Sequence, residues 1–145
     1  MNIFEALRED HEKQRKLLKE LLSTSGDTKE RDRLFKALKK ELEFHADAEE
    51  RHFYVPLLKS SQTQEKARHS IAEHHEIDEL IETLEETDYA SSAWLKHAKT
   101  LAERVTHHLD EEEHEVFQMA GKVLTSKEKE QLSEAYQKYM KTQRK

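Results

Sequence analysis

A chain of 145 residues with one proline and two glycines is long enough for one domain, and no segment rich in helix breakers divides it. Only 34% of its residues are hydrophobic and 39% are charged, which favours long amphipathic helices over sheets. The net charge of -6 gives no electrostatic basis for binding nucleic acid or a membrane surface, and the lack of cysteine excludes disulfides and thiolate metal sites. With no signal-peptide pattern and no apolar run of about 18 residues, we expect a soluble, cytoplasmic protein.

Two helices are predicted in the first half of the chain. Helix one starts at a capping box of Asn2 and Glu5, and apolar residues then recur every three or four positions up to a turn at 23–27. Helix two is predicted to be capped by Asp27. Pro56 predicts that this helix kinks or ends close by, because proline removes a backbone donor and crowds the preceding turn.

The second half predicts two further helices and a short fifth one. A polar stretch at 60–63 precedes helix three, and helix four runs from about Ser91 to Gly121, a natural C-terminal stop. Short connections favour antiparallel neighbours, so we predict an all-α, up-down-up-down four-helix bundle over residues 1–124. Residues 125–145 form an amphipathic helix, predicted to pack on the bundle or on a second copy of the chain in a homo-oligomer.

The two halves of the chain repeat each other at an offset of 63 residues. Three polar pairs share this offset, namely His11 with His74, His45 with His108, and Glu49 with Glu112. Apolar pairs share it too, among them Leu18 with Ile81, Leu21 with Leu84, Leu38 with Leu101, and Leu42 with Val105. Two similar helical hairpins are the simplest explanation.

The repeated polar residues have the chemistry of a metal site. In helices two and four a histidine and a glutamate are four residues apart, which places both on one face, about 6 Å apart along the axis. His11 and His74 lie in apolar stripes, where a polar ring without a partner is costly to bury. Imidazole and carboxylate ligands suit iron, copper or zinc.

The repeat further predicts how two ions divide these ligands. Two carboxylates brought together repel each other unless cations lie between them, which favours glutamates that bridge two ions. Of the six predicted ligands, one ion takes His11 and His45, the other takes His74 and His108, and Glu49 and Glu112 bridge the two.

Two alternatives stay open at this point. In a ferritin-like site, Glu49 with His52 and Glu111 with His114 would supply the Glu-x-x-His pairs. These pairs are out of register by one residue between the halves, and helices one and three offer histidines where that site needs glutamates. The other alternative is a purely structural layer of polar side chains.

Three residues near the predicted ligands are not expected to bind metal themselves. Tyr54 is interpreted as a core aromatic residue, with a position near the site as the alternative. Glu113 is expected to face solvent or to form a hydrogen bond with an imidazole. His69 lacks the repeated pattern and is interpreted as a surface residue.

Four segments resemble the hemerythrin-like domains, also called HHE cation-binding domains: EDHEKQRKLL, EFHADAEERHFYVPLL, AEHHEIDELI and HHLDEEEHEVFQMA. They carry, in order, His, His-x-x-x-Glu, His and His-x-x-x-Glu, and the resemblance spans residues 1–124. It implies a non-heme centre of two iron ions, bridged by carboxylates and by an oxo or hydroxo group. Such a centre binds or reacts with O2, peroxide or nitric oxide.

The sequence departs from the oxygen-carrying members of that family. Those members have a second histidine four residues along helix three, where this chain has Asp78, and an aspartate five residues after the histidine of helix four. Fewer histidines leave more open positions on the ions. Glu73 precedes His74, as in members linked to iron-sulfur repair and nitric oxide, but the cysteine-containing segment of those members is absent. Glu73 and Asp78 are therefore candidate additional ligands or neighbours of the ligands.

Three functional hypotheses follow from the resemblance. The first is a protein that binds O2, peroxide or nitric oxide at the two irons. The second is an enzyme with peroxidase or nitric oxide reductase activity at the same site. The third is an iron-handling or structural metal-binding protein.

Overall fold

The computed structural model describes residues 1–145 and contains helices and no strands. The elements are α1 (Ile3–Leu22), α2 (Lys29–Glu49), a π-helical turn π1 (Glu50–Tyr54), α3 (Val55–Leu58), α4 (Gln64–Glu86), α5 (Ser92–Glu111), a second π-helical turn π2 (Glu112–Val116), α6 (Phe117–Val123) and α7 (Ser126–Gln143). The π turns join α2 to α3 and α5 to α6, so four long rods form the body. The prediction of an all-α bundle is confirmed.

The four rods close around one core. Helix α1 packs against α2 and α5, and α4 completes the ring by packing against α2 and α5. The predicted capping box of Asn2 and Glu5 is confirmed, and a second capping box, of Thr125 and Glu128, begins α7. No helix combines the length and the apolar character that crossing a membrane requires.

Two predicted helix boundaries are wrong. The cap of α2 is Thr28 rather than Asp27, and its hydroxyl accepts a hydrogen bond from the backbone N–H of Arg31 at 3.2 Å. Gly121 does not stop its helix, which continues to Val123. A glycine C-cap needs a left-handed backbone, and Gly26 is the one residue with a positive φ.

The two π turns begin within one residue of each other in the two halves of the repeat. The first starts directly after Glu49 and the second starts at Glu112. A π turn adds one residue to a helical turn, and such turns are frequent at functional sites. The turn π1 brings Phe53 and Tyr54 into the core, where both are fully buried. The rod then ends at Leu58, soon after proline, as predicted.

The apolar core has two parts. One contains Ile3, Phe53, Leu57 and Phe117, and the other contains Leu21, Leu38, Trp94 and Leu101. On each rod the predicted histidine or histidine–glutamate pair lies between residues of the two parts. A layer of polar side chains thus crosses the middle of the bundle.

Helix α7 packs on its own bundle, against α1 and α2. It buries Ser133, Tyr136 and Met140 there. Contact with a second copy of the chain stays a prediction.

Candidate metal centre

The polar layer consists of the six predicted ligands. Each side chain is buried, with at most 6% of the residue exposed: His11, His45, Glu49, His74, His108 and Glu112. Two imidazoles come from single positions on α1 and α4. The other two imidazoles, those of His45 and His108, each lie one helical turn before a glutamate on the same rod, as their four-residue spacing requires.

The ligand atoms form two overlapping groups, each spanning no more than 4.8 Å. The first contains His11, His45, Glu49 and Glu112, and the second contains Glu49, His74, His108 and Glu112. Both glutamates belong to both groups, and each group takes its histidines from one hairpin. This arrangement matches the predicted division between two ions, while the role of the side chains as ligands stays a prediction.

The Nε2 atoms of the histidines point into the layer. His11 Nε2 lies 3.1 Å from Glu112 Oε1, and His45 Nε2 lies 3.1 Å from Glu49 Oε1. Despite these short distances the atoms are not aligned for hydrogen bonds. Both Nε2 atoms, both oxygens of Glu49 and one oxygen of Glu112 therefore have no hydrogen-bond partner. Unpartnered buried polar atoms are rare in proteins, and cations between these atoms would satisfy them.

Carboxylates fix the outer nitrogens of three histidines. The Nδ1 distances are 2.6 Å from His11 to Glu113, 2.8 Å from His74 to Glu50, and 2.9 Å from His108 to Glu73. Glu50 and Glu113 are themselves a pair at the 63-residue offset, and each binds a histidine of the other hairpin. With Nδ1 engaged outside, Nε2 faces the layer, which is how ligating histidines are usually oriented.

The fourth histidine has a different outer partner. His45 Nδ1 lies 2.5 Å from the hydroxyl of Tyr136, which donates to Asp10 at 2.6 Å. Asp10 is the counterpart of Glu73 in the repeat, and Arg144 donates to it at 2.7 Å. Helix α7 therefore inserts a phenol where the other half uses a direct carboxylate contact. The periodicity of the sequence gives no sign of this contact, because Tyr136 lies outside the repeat.

Tyr54 packs in the core, as expected, and also reaches the polar layer. Its hydroxyl donates a hydrogen bond to Glu112. Its counterpart at the 63-residue offset is Phe117, which has no hydroxyl and stacks on the His11 ring at 6.0 Å. Comparing the two halves at this position is the signal that could have identified Tyr54.

Burial opposes every charge in the layer, and contacts between its members decide the pKa values. Burial raises the pKa of Glu112, and the charge of Glu49 raises it further. Burial also opposes ionisation of Glu49, but the charge of His45 and close contacts with neighbouring side chains lower its pKa well below the usual range. Burial alone would lower the pKa values of His11 and His74, yet their carboxylate partners raise them to about 9 and about 10.

The two additional candidates lie outside the two groups. Glu73 contacts the outer nitrogen of His108, and its other oxygen is 3.5 Å from His69 on the surface. Asp78 lines a small cavity beside the layer. Glu73 is thus placed as a neighbour of a predicted ligand.

The structure does not support the ferritin-like alternative. His114 is exposed, and its ring contacts a backbone carbonyl at 2.7 Å. Glu111 faces two surface imidazoles, His69 and His107, each at 3.0 Å. Neither residue reaches the buried layer.

The fold and the layer define a helical-bundle protein with a buried histidine–carboxylate group that could bind metal. A sequence model of the hemerythrin HHE cation-binding domain matches residues 2–120, and the chain belongs to this family. A solved structure of a hemerythrin HHE cation-binding domain-containing protein from Mycobacterium kansasii is similar, with a TM-score of 0.89 and 26% identity. The match covers 99% of this chain and 88% of that one. Among curated protein sequences there is no significant match.

The phenol of Tyr136 is expected to strengthen metal binding through His45. Tyr136→Phe removes the outer partner of this ring, so we expect the affinity for a divalent metal to fall about 10-fold or more, as is typical for such contacts. The measurement is competition with a chelator of known affinity. Tyr139→Phe is the matched control, because Tyr139 lies on the same helix and bonds to Asp47 away from the layer. Equal losses in the two variants would contradict the role of Tyr136.

The raised pKa values of His11 and His74 predict how the stability of the metal-free protein depends on pH. Their folded pKa values, about 9 and about 10, exceed the ordinary 6.5, so protonation stabilises the fold fully below about pH 6.5. This stabilisation is lost as the pH rises through 9 and 10. We therefore expect the urea midpoint to fall between pH 6.5 and pH 10, and His11→Asn to reduce that fall. An equal fall in the variant would show that His11 does not carry this proton.

Proposed function

We propose that this chain is a non-heme di-iron protein that binds or reacts with O2, peroxide or nitric oxide at a carboxylate-bridged site. The observation that carries the proposal is the pair of ligand groups that share Glu49 and Glu112. Membership in a cation-binding family supports it, as do the unpartnered atoms that face each other across the layer.

Charge supports two ions rather than one. Glu49 and Glu112 are both fully buried, and burying two neighbouring carboxylates is costly unless positive charge accompanies them. In the metal-free protein the protons of His11 and His74 supply part of that charge. Two divalent ions would replace these protons and place a cation on each side of the carboxylate pair.

The ligand set supports a redox metal with open positions. Each ion would take two histidines and oxygens of two shared carboxylates, which leaves room on an ion that prefers six ligands. Histidine–carboxylate sites with open positions are typical of non-heme iron that reacts with O2. The bound ions would supply redox chemistry and Lewis acidity. The protein contributes by orienting the ligands and by excluding water with the apolar clusters on both sides.

Anaerobic titration with Fe(II), followed by exposure to O2, tests the proposal. We expect two irons per chain and new absorption in the near ultraviolet and visible. His45→Ala removes a buried ligand and should lower both bound iron and absorption. His69→Ala is the control, because His69 has 54% of its side chain exposed and lies outside the buried layer.

The outcomes separate the proposal from its rivals. If His45→Ala loses iron and His69→Ala does not, the result supports a centre in the bundle core. Equal iron content and spectra in all three proteins would defeat the assignment of the ligands. Stoichiometric binding of zinc without iron would support the structural metal-binding hypothesis instead.

One contact supports a second candidate function, in which the centre turns over a substrate and does not only bind it reversibly. Tyr54 donates a hydrogen bond to Glu112 inside the layer. Burial, with the nearby carboxylates, raises its pKa well above the usual range, so the phenol keeps its proton. A buried phenol that keeps its proton can donate a hydrogen bond to a molecule that reacts beside the centre, which would position peroxide for reduction.

Steady-state consumption of hydrogen peroxide by the iron-loaded protein, with an added reductant that supplies two electrons for each peroxide, tests this second function. We expect Tyr54→Phe to keep its iron and to lose at least about 10-fold in kcat, because a positioned hydrogen-bond donor is lost. Tyr89→Phe is the control, since Tyr89 bonds to Asp32 in another part of the bundle. A wild-type protein that binds peroxide reversibly without consuming it would leave binding as the function.

A further inference from the structure

A small cavity lies against the second of the two ligand groups. Its volume is about 10 Å³, which is room for about one water molecule. Three of the predicted ligands line it, His45, His74 and His108. Any molecule in this space would lie beside the metal centre, and only a very small molecule fits.

One polar side chain in this cavity has an amide nitrogen that makes no hydrogen bond within the protein. This side chain belongs to Gln14, which is 1% exposed. It forms no hydrogen bond with the carboxylates that orient the histidines. A buried N–H donor without a partner is unfavourable, so its retention calls for a partner from outside the chain.

The repeat shows that the bundle does not need an amide at this position. The counterpart of Gln14 at the 63-residue offset is Ile77, which is also buried and lines the same cavity. At this pair of positions the cavity is lined by an amide on α1 and by an apolar side chain on α4. This difference breaks the symmetry beside the layer and supplies one hydrogen-bond donor there.

An open groove on the surface adjoins the cavity. The groove has a volume of about 210 Å³ and shares Ala46, His74 and Asp78 with the cavity. Its other lining residues include three acidic side chains and no lysine or arginine. An approach lined by carboxylates disfavours anions and lets neutral molecules pass.

We infer that this cavity holds the small ligand of the centre, a neutral molecule no larger than a diatomic, and that Gln14 fixes and selects it by donating a hydrogen bond. The inference rests on the proposed function, because the metal ion would hold the other end of the ligand. Gln14 is a positioning residue in this account. It orients the bound molecule and does not hold metal.

Binding of nitric oxide to the anaerobic, Fe(II)-loaded full chain tests the inference. Gln14→Leu keeps the side-chain volume similar and removes the donor. We expect it to retain two irons and to bind nitric oxide about 3- to 10-fold more weakly, the worth of one hydrogen bond. The N–O stretching frequency should shift between H2O and D2O in the wild type and lose that shift in the variant.

Two further measurements keep the result interpretable. Leu18→Met, one turn along the same face of α1, is the control and should leave affinity and frequency unchanged. In the metal-free protein Gln14→Leu should unfold at the same or a higher urea concentration, because it removes an unpartnered buried amide. A clearly lower midpoint would mean that Gln14 is structural and would overturn the inference.

The inference and the proposed function fail in different ways. Two irons in every protein, with the same affinity and N–O frequency in Gln14→Leu as in the wild type, would overturn the inference alone. A wild-type chain that binds no iron in stoichiometric amount would overturn both.

Discussion

The structure depends on two carboxylates buried side by side in the middle of a helical bundle. Glu49 and Glu112 are fully buried, and such a pair is tolerated only where positive charge and hydrogen bonds compensate it. The imidazoles of His11 and His74, whose pKa values are raised, provide part of this compensation, and the acidic side chains behind them hold both rings in place. The apolar clusters on both sides keep water out, which strengthens every interaction within the layer.

The repeat makes the inner layer symmetric, and three outer differences make its halves unequal. Tyr136 is inserted between His45 and a carboxylate, whereas His108 contacts its carboxylate directly. Tyr54 donates to one of the shared glutamates, and the equivalent aromatic residue has no hydroxyl. Gln14 supplies a donor where its counterpart is apolar. Two ions in this layer would therefore have different surroundings. One ion can then bind a ligand, while the other mainly adjusts the charge of the ligand-binding ion.

Much of this arrangement could be predicted from the sequence, because two independent periodicities agree at the same residues. Helical spacing puts His45 and Glu49 on one face, and the 63-residue offset repeats them. The structure places all six predicted residues in one buried layer. Tyr136 could not be predicted, because its contact joins a helix outside the repeat to a residue 91 positions away. The π turns were missed because no residue pattern marks the extra residue that they add to each rod.

The central claim is that two metal ions lie on either side of the Glu49 and Glu112 carboxylates. X-ray diffraction from crystals of the iron-loaded protein, recorded above and below the iron absorption edge, tests it most directly. We expect two anomalous peaks inside the bundle, one between His11 and His45 and the other between His74 and His108. A single peak in the layer, or peaks only at the exposed group around His69, would contradict it.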